Sequence, residues 1–157
     1  MQSAVRSEDR RMAKDVVADV IIRPARAGDL PHCAEIFLAG RRTIFPWIPP
    51  ERFHLGDFEV STAGEEVWVA ELDGRVIGFA SIFIPGSFVH NLFVEPSLQR
   101  QGIGRQLLDR ALERLPSPVK LKCCTANTPA RTFYLKTGWV EDGTGTDDFG
   151  PYVVYRK

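Results

Sequence analysis

Residues 92–105 read LFVEPSLQRQGIGR and carry the most informative local pattern of the sequence. The apolar run at residues 92–94 is typical of a strand end, Glu95-Pro96 stops the strand, and Gly102-x-Gly104 is typical of a helix start. The N–H groups of a helix start have no partners within the helix, and the helix dipole adds positive potential there. Glycines also let a phosphate approach the backbone without meeting a Cβ atom. The pattern therefore predicts a strand, a helix, and between them a turn whose N–H groups offer an anion site that a phosphate could occupy.

Two arginines strengthen this interpretation, because Arg100 and Arg105 can add charge-assisted hydrogen bonds to a phosphate. Two other nucleotide-binding motifs do not fit. The stretch lacks the third glycine and the downstream acidic residue of the Rossmann fingerprint, and it has no Gly-Lys-Ser/Thr of a P-loop. A helix start that needs glycine only for packing is the structural alternative.

Three consecutive antiparallel strands are predicted upstream of this stretch. Glu66–Leu72 and Arg75–Ile84 are apolar runs joined by Asp73-Gly74, and a two-residue Asp-Gly turn is a strong hairpin signal. Pro85-Gly86 turns the chain again before a third strand over Phe88–Val94.

The N-terminal part is less regular. Residues 1–18 are charged and weakly patterned, which predicts a mobile tail or a short helix. A short strand over Val20–Arg23 comes next, followed by a helix with Asp29 as its N-cap and Gly40 as its C-cap. The proline-rich residues 45–50 fit neither helix nor strand, and a second short helix is predicted over about residues 51–60.

Downstream, the helix that starts at Gly102 keeps one face apolar for more than three turns. Val119–Cys124 predicts a strand, and Asn127–Lys136 predicts a helix. Two last strands, one from Trp139 and one over Tyr152–Arg156, flank a predicted loop at residues 143–150. The order of elements indicates a mixed α/β (α+β) fold: one mixed, mostly antiparallel sheet of about seven strands with about four helices.

Length and composition fit a single domain over residues 19–157. The 157 residues include 20 Lys+Arg and 20 Asp+Glu, so charge gives no reason to expect nucleic acid or an anionic membrane as a partner. No apolar run approaches a membrane span, and the polar N-terminus does not resemble a signal peptide. Cys33, Cys123 and Cys124 form no C-x-x-C pair, so neither a disulfide framework nor a thiolate metal site is expected. We therefore expect a cytoplasmic domain without a metal.

Two motifs, found in this order, resemble those of the GCN5-related N-acetyltransferase (GNAT) family. Gln99-x-x-Gly102-x-Gly104 after an apolar strand resembles the acyl-CoA signature Gln/Arg-x-x-Gly-x-Gly/Ala. The segment Asn127-x-x-Ala130-x-x-Phe133-Tyr134-x-x-x-Gly138-Trp139 resembles the family's Asn-x-x-Ala-x-x-Phe-Tyr-x-x-x-Gly-Phe, with Trp in place of the last Phe. The resemblance covers about residues 20–157. It implies the family's fold and a direct transfer of acetyl from acetyl-CoA to an amine in a ternary complex.

The resemblance also implies a cofactor site. The pantetheine arm of acetyl-CoA would lie along the edge of the Leu92–Val94 strand like an added strand, in a slot where this strand diverges from Val119–Cys124. The implied cofactor-binding residues are Leu92, Phe93, Val94, Gln99, Arg100, Gln101, Gly102, Ile103, Gly104, Arg105, Asn127, Ala130 and Tyr134. Tyr134 is also the implied general acid for the departing thiolate, since a phenol with a pKa of about 10 can donate at neutral pH. A packed helix aromatic is the structural alternative for Tyr134.

A general base is useful because an alkylamine is mostly protonated at neutral pH. The chain has three histidines, His32, His54 and His90. His90 is the first candidate, because strand alternation puts it on the same face as Leu92 and Val94 and because arylalkylamine N-acetyltransferases carry a histidine at the matching offset. His54 is the second candidate. The sequence offers no carboxylate at the position where many relatives use glutamate.

The resemblance implies that the Phe45–Pro50 segment forms a variable lid over the acceptor site, so acceptor recognition is expected from this lid and from the loop at residues 143–150. The candidate residues are Trp47 and His54 near the lid, and Asp147 and Asp148 in the loop, where carboxylates could attract a cationic amine. The expected acceptor is a primary amine of a small molecule. Dimers are common in the resembling family, so a homodimer is compatible with the resemblance.

Three other functions stay open. The first is a peptide or protein N-acetyltransferase, which needs an extended peptide groove. The second is a catalytically inactive acyl-CoA-binding regulatory module. The third, an aminoacyl-tRNA acetyltransferase, is disfavoured because a chain of zero net charge lacks the basic balance that RNA binding requires.

Overall fold

A seven-stranded sheet forms the centre of the computed structural model, which describes residues 18–157. The strands are β1 Ile21–Pro24, β2 Glu66–Leu72, β3 Arg75–Phe83, β4 Phe88–Val94, β5 Lys120–Cys124, β6 Val140–Asp147 and β7 Gly150–Arg156. They are ordered β1-β2-β3-β4-β5-β7-β6, and β4–β5 is the parallel pair among antiparallel neighbours. The predicted mixed, mostly antiparallel sheet is confirmed. The predicted tail over residues 1–18 lies, except for its last residue, outside the described residues.

Within residues 18–157, four α-helices of six or more residues cover the two faces of the sheet, in agreement with the predicted number of about four. They are α1 Leu30–Ile44, α2 Asp57–Thr62, α3 Ile103–Arg114 and α4 Thr128–Lys136. On one face, α1 and α2 pack on Val69 and Phe79, while on the other face α3 packs on Ala70 and Ala80. This division follows from strand alternation, which sends neighbouring residues of β2 and β3 to opposite faces.

The hairpin between β2 and β3 forms at the predicted Asp-Gly turn. Asp73 and Gly74 both have positive φ angles, 52° and 77°, which a type I′ turn requires. The hairpin brings β3 alongside β4, and β4 carries the first half of the candidate site.

Gly40 is not the C-cap of the first helix, because α1 continues to Ile44. A Cβ atom at Gly40 would clash with Cδ1 of the Phe93 ring on β4. The glycine therefore allows α1 to approach β4 closely. Asp29 does stand at the N-cap position, but its carboxylate accepts from the backbone N–H of Arg26 and the guanidinium of Arg23 and caps no N–H of α1.

Two other boundaries differ from the predictions. The predicted second short helix over about residues 51–60 is present as α2, but it starts only at Asp57, because a 3-10 turn at Pro50–Arg52 precedes it. The predicted loop over 143–150 is wrong, since β6 continues to Asp147, which pairs with Gly150. The glycines of this stretch serve the hairpin: Gly143 sits at a register shift with a φ of 118°, and Gly145 lies against the ring of Tyr152.

Candidate active site

A groove opens where β4 and β5 separate. The two strands pair at Phe88–Lys120 and Val89–Leu121, and no further pair follows within residues 18–157. Beyond this point they enclose a groove of about 350 Å³, which α1 borders on one side of the sheet and α4 on the other. The divergence predicted between these strands is therefore present.

The edge of β4 along this groove has free backbone groups. From His90 onward, no strand of the described chain pairs with the side of β4 that faces β5. Such an edge can bind an extended ligand through N–H and C=O groups, as an added strand would. Leu92 and Phe93 line the groove here, and the Phe93 ring is held by Phe37 and Phe79 at centroid distances of 5.4 and 5.7 Å.

The turn between β4 and α3 leaves helix N–H groups open. Gly102 has a left-handed φ of 86° and stands at the N-cap of α3. The N–H of Gln106 donates to the Gly102 carbonyl at 3.1 Å, so the three N–H groups before it have no acceptor inside the helix. A Cβ atom at Gly104 would meet only Val94 Cγ2, at 3.8 Å, among the described residues. This start of α3 can accept a phosphate against its backbone.

Side chains complete the turn. The Gln99 side-chain amide donates to the Val94 carbonyl at 3.2 Å and ties the turn to the strand end. Arg100 and Arg105 are exposed, and neither forms an ion pair within the described part of the chain. The buried Oε1 of Gln101 has no hydrogen-bond partner among residues 18–157. The turn thus combines unpaired N–H groups with two free cations, which suits a diphosphate.

One face of α4 supplies the opposite wall. Asn127, Ala130 and Tyr134 are spaced along one side of this helix and all line the groove. The Asn127 side chain caps α4 by accepting from the Ala130 N–H at 3.3 Å. The small side chain of Ala130 leaves room between these two residues.

Tyr134 is a buried phenol at the groove wall, 8% exposed. Its ring packs against Tyr155 and Trp139 at centroid distances of 5.5 and 6.0 Å. Burial, together with nearby Cys123 and Tyr155, raises the pKa of Tyr134 above the ordinary tyrosine value. The phenol is therefore protonated at neutral pH, as a proton donor must be.

The predicted orientation of His90 is wrong. A register shift between Ser81 and Ile82 pairs them with Asn91 and Val89 and leaves His90 as an extra residue in β4. The bulge interrupts alternation. Leu92 packs with α3, whereas His90 contacts Glu65 on the side of the sheet that α1 and α2 cover. His90 still lines the groove, but from the side opposite to α3.

The lid and the β6–β7 turn meet over the α1 side of the groove. The rings of Phe45, Phe53 and Phe149 stack at centroid distances of 5.1 to 6.3 Å. The Arg41 guanidinium lies over Phe53 and Phe149, at 4.6 and 4.9 Å, and pairs with Asp57 at 3.1 Å. Burial lowers the pKa of Arg41. Sequence reasoning missed Arg41 because only the tertiary structure brings it to the groove.

The four predicted acceptor residues are placed differently. Asp147 lines the groove. Trp47 does not line it, but its indole N–H donates to the Phe149 carbonyl at 3.0 Å and joins the lid to the β6–β7 turn. His54 and Asp148 are exposed and do not line the groove.

Within residues 18–157, no three His, Cys, Asp or Glu side chains are grouped as metal ligands would be. No helix of this part is long and apolar enough to cross a membrane. Burial raises the pKa of the Cys123 thiol to about 12, which leaves it protonated and poorly nucleophilic.

Comparison with known proteins gives close matches. A model of the Acetyltransferase (GNAT) family matches residues 31–139. The chain is 32% identical over 124 residues to the peptidyl-lysine N-acetyltransferase YiaC of Escherichia coli K12. The aligned region covers 76% of this chain and 82% of YiaC. It is 35% identical over 91 residues to the peptidyl-lysine N-acetyltransferase YjaB of Salmonella typhimurium, which covers 56% of this chain and 61% of YjaB.

Solved structures share the architecture. The solution structure of apo YjaB from Escherichia coli has a TM-score of 0.73 at 21% identity and covers 87% of this chain and 96% of YjaB. The structure of yncA from Salmonella typhimurium with acetyl-CoA has a TM-score of 0.65 at 21% identity and covers 88% of this chain and 93% of yncA. At this level of identity the likeness concerns the fold.

Proposed function

We propose that this chain, which belongs to the acetyltransferase (GNAT) family, acetylates the side-chain amine of lysine in a peptide or protein. It is an acetyl-CoA-dependent N-acetyltransferase, as its family and its named relatives indicate. The groove between β4 and β5 is the observation that carries the proposal. The free edge of β4, the buried phenol of Tyr134 and the imidazole of His90 all line this groove, the last two from opposite faces of the sheet. The choice of lysine is supported by the similarity to two peptidyl-lysine enzymes.

Acetyl-CoA fits the residues that are present. We assign its diphosphate to the N–H groups at the start of α3 and to Arg100 and Arg105. The free edge of β4 at Leu92–Val94 would bind the pantetheine arm, and the Nδ2 group of Asn127 is available to a pantetheine carbonyl. When bound, acetyl-CoA supplies the activated acetyl group as a thioester.

Two side chains would move the protons. His90 accepts a proton from the lysine ammonium, directly or through water, and so frees the nitrogen lone pair that forms the new C–N bond. Tyr134 donates its phenolic proton to the sulfur as the C–S bond breaks, and it regains a proton from solvent. The nitrogen that has formed the C–N bond loses its second proton to solvent, so the sum of the step is one amide, one thiol and one released proton.

A small-molecule amine is the second candidate acceptor, and it stays a prediction. It is favoured by the stacked rings of Phe45 and Phe149, which line the groove and would suit an apolar amine. A peptide would instead present one slender lysine side chain to the same mouth while its backbone stays outside. The two acceptor classes therefore differ in whether a peptide backbone lies outside the groove, beyond the lid.

The test is a competition between acceptor classes. Purified protein and acetyl-CoA are incubated with lysine peptides, with the same peptides bearing Nε-blocked lysine, and with small primary amines; products are identified by mass spectrometry. We expect acetylation of the unblocked peptides. Turnover confined to small amines would replace lysine with the second candidate, and no turnover with any amine, despite stabilisation by acetyl-CoA in a thermal-shift titration, would favour a regulatory module.

A further inference from the structure

We propose that Glu65 is the positioning residue of His90: its carboxylate holds the imidazole in the tautomer and orientation that proton acceptance requires. This inference rests on the proposed function, because it concerns the base of the same transfer. It adds a carboxylate that the sequence pattern did not reveal, since 25 residues separate Glu65 from His90 along the chain.

The contact is short and specific. Nδ1 of His90 lies 2.8 Å from Oε2 and 3.0 Å from Oε1 of Glu65, so one ring nitrogen meets both carboxylate oxygens. The Glu65 side chain is 7% exposed, whereas that of His90 is 42% exposed and borders the groove. The carboxylate is thus the shielded partner, and the imidazole is the partner that a substrate can reach.

The backbone around Glu65 fixes this placement. The Glu65 N–H donates to the Thr62 carbonyl at 3.0 Å, which holds the residue at the end of α2, just before β2. Its neighbour Glu66 starts β2 and turns to the other face of the sheet, where it pairs with Arg114 at 2.8 Å. Glu65 and Glu66 are adjacent but therefore have different partners on opposite faces of the sheet. The bulge in β4 places His90 beside Glu65.

The chemistry of the pair follows from its donor and acceptor atoms. An ionised carboxylate only accepts hydrogen bonds, so Nδ1 of the imidazole must carry a hydrogen. In the neutral ring the lone pair is then on Nε2, the nitrogen left to take a proton from the lysine ammonium. After that transfer, the same carboxylate stabilises the imidazolium. The other charged groups that line the groove are Arg41, Lys122 and Asp147, and no ion pair joins any of them to His90 in the described chain.

Kinetics of matched variants test the role. Glu65→Gln keeps the size of the side chain but offers both a donor and an acceptor to Nδ1, and Glu66→Gln serves as the control on the other face of the sheet. We expect Glu65→Gln to lower kcat at least roughly tenfold, as loss of an orienting carboxylate does in acyl transfer, with an unchanged KM for acetyl-CoA. Glu66→Gln should leave kcat unchanged. Equal kcat values for Glu65→Gln and the unmodified enzyme would overturn the proposal.

A second measurement does not depend on turnover. Long-range ¹H–¹⁵N NMR spectra of the whole protein report which ring nitrogen carries hydrogen in each of the three histidines, and the His90→Ala variant identifies the His90 signals. We expect hydrogen on Nδ1 in the unmodified protein and population of the Nε2–H tautomer in Glu65→Gln. An Nε2–H tautomer in the unmodified protein would refute the inference. Failure of every amine as acceptor, with Nδ1–H observed, would instead refute the proposed function alone.

Discussion

At the scale of single residues, the phenol of Tyr134 gives the sharpest prediction. Tyr134→Phe removes one oxygen and keeps the ring that packs against Trp139 and Tyr155. We expect kcat for amine acetylation to fall by roughly 10²-fold, the lower range for loss of a general acid. Binding of acetyl-CoA, measured by thermal shift or calorimetry, should persist because the strand edge and the α3 turn are untouched.

Tyr152→Phe is the matched control for this variant. Tyr152 also lines the groove, and its ring lies 4.4 Å from Lys122 Nζ, but the proposed mechanism gives its hydroxyl no role. It should retain kcat. A Tyr134→Phe enzyme as fast as the unmodified one, or an equal loss in both variants, would contradict the assignment of the acid.

The residues around His90 show what a sequence can and cannot predict at this scale. His90 and Tyr134 could be singled out, because each stands at a fixed offset from a motif. The direction of the His90 side chain could not, since the bulge arises from the pairing of β4 with Ser81 and Ile82 of β3. Glu65 could not be found either, because nothing local marks a glutamate that will meet a histidine 25 residues later.

At the scale of elements, the approach of α1 to β4 leads to a stability prediction. Gly40→Ala should favour the helix by about 1 kcal/mol, but its Cβ atom would clash with the Phe93 ring. Phe37 and Phe79 pack against that ring, so the overpacking cost of about 1–3 kcal/mol prevails. We expect a lower Tm and weaker acetyl-CoA binding, since Phe93 lies on the cofactor strand.

Gly28→Ala separates this clash from a general effect of alanine. A Cβ atom at Gly28 meets no atom within 4 Å, so its Tm should stay near that of the unmodified protein. If Gly40→Ala were as stable as Gly28→Ala, the close packing of α1 on β4 would be disproved.

The junction between β1 and α1 gives a pH-dependent prediction. The hydrogen bond from Arg23, at 2.7 Å, holds the pKa of Asp29 at about 2, below its ordinary value of 3.8. Because the pKa of Asp29 is lower in the folded than in the unfolded protein, its ionised carboxylate stabilises the fold at any pH above the unfolded-state pKa. This stabilisation is lost as the pH falls through the folded-state pKa. Asp29→Asn should therefore cost about 1 kcal/mol at neutral pH, allowing for solvent screening, and nearly nothing at the lowest pH.

Urea unfolding of Asp29→Asn and the unmodified protein across the acid range measures this difference. Glu51→Gln is the control: Glu51 is exposed and forms no ion pair within residues 18–157. Its replacement should change the free energy of unfolding by only a few tenths of a kcal/mol at neutral pH, as is usual for an exposed site. An Asp29→Asn difference that stays constant from neutral pH to the acid limit would mean that the pair with Arg23 does not act as described.

Elements were predictable where local signals and tertiary packing agree. The Asp73-Gly74 hairpin and the amphipathic α3 satisfy both, and they form as expected. Gly40 misled because glycine serves both as a helix cap and as a point of close approach. The glycines of residues 143–150 misled because a strand of low propensity still forms when β7 supplies a complete hairpin partner.

At the scale of the whole molecule, the groove is closed by parts that are far apart in sequence. Trp47, from the lid, donates to the carbonyl of Phe149, 102 residues away, and the Phe149 ring stacks on Phe45. The sequence indicated the lid and the last loop as two separate acceptor segments. It did not indicate that they contact each other, because no local pattern encodes contact between a lid and a distant hairpin. The mouth of the groove is therefore a joint property of both.

The contact between Trp47 and Phe149 can be removed without changing the residues proposed to bind acetyl-CoA. Trp47→Phe keeps an aromatic side chain at a position that is 48% exposed, but removes the 3.0 Å hydrogen bond to Phe149. The lost bond is worth about 1 kcal/mol, which corresponds to roughly a fivefold rise in KM for the amine if the tie orders the mouth. The KM for acetyl-CoA should not change, since its proposed contacts lie on β4, α3 and α4.

Phe83→Leu, at an exposed position outside the groove lining, is the control and should alter neither KM value. A Trp47→Phe enzyme whose KM rises equally for both substrates would show that the tie supports the whole groove and not its acceptor side.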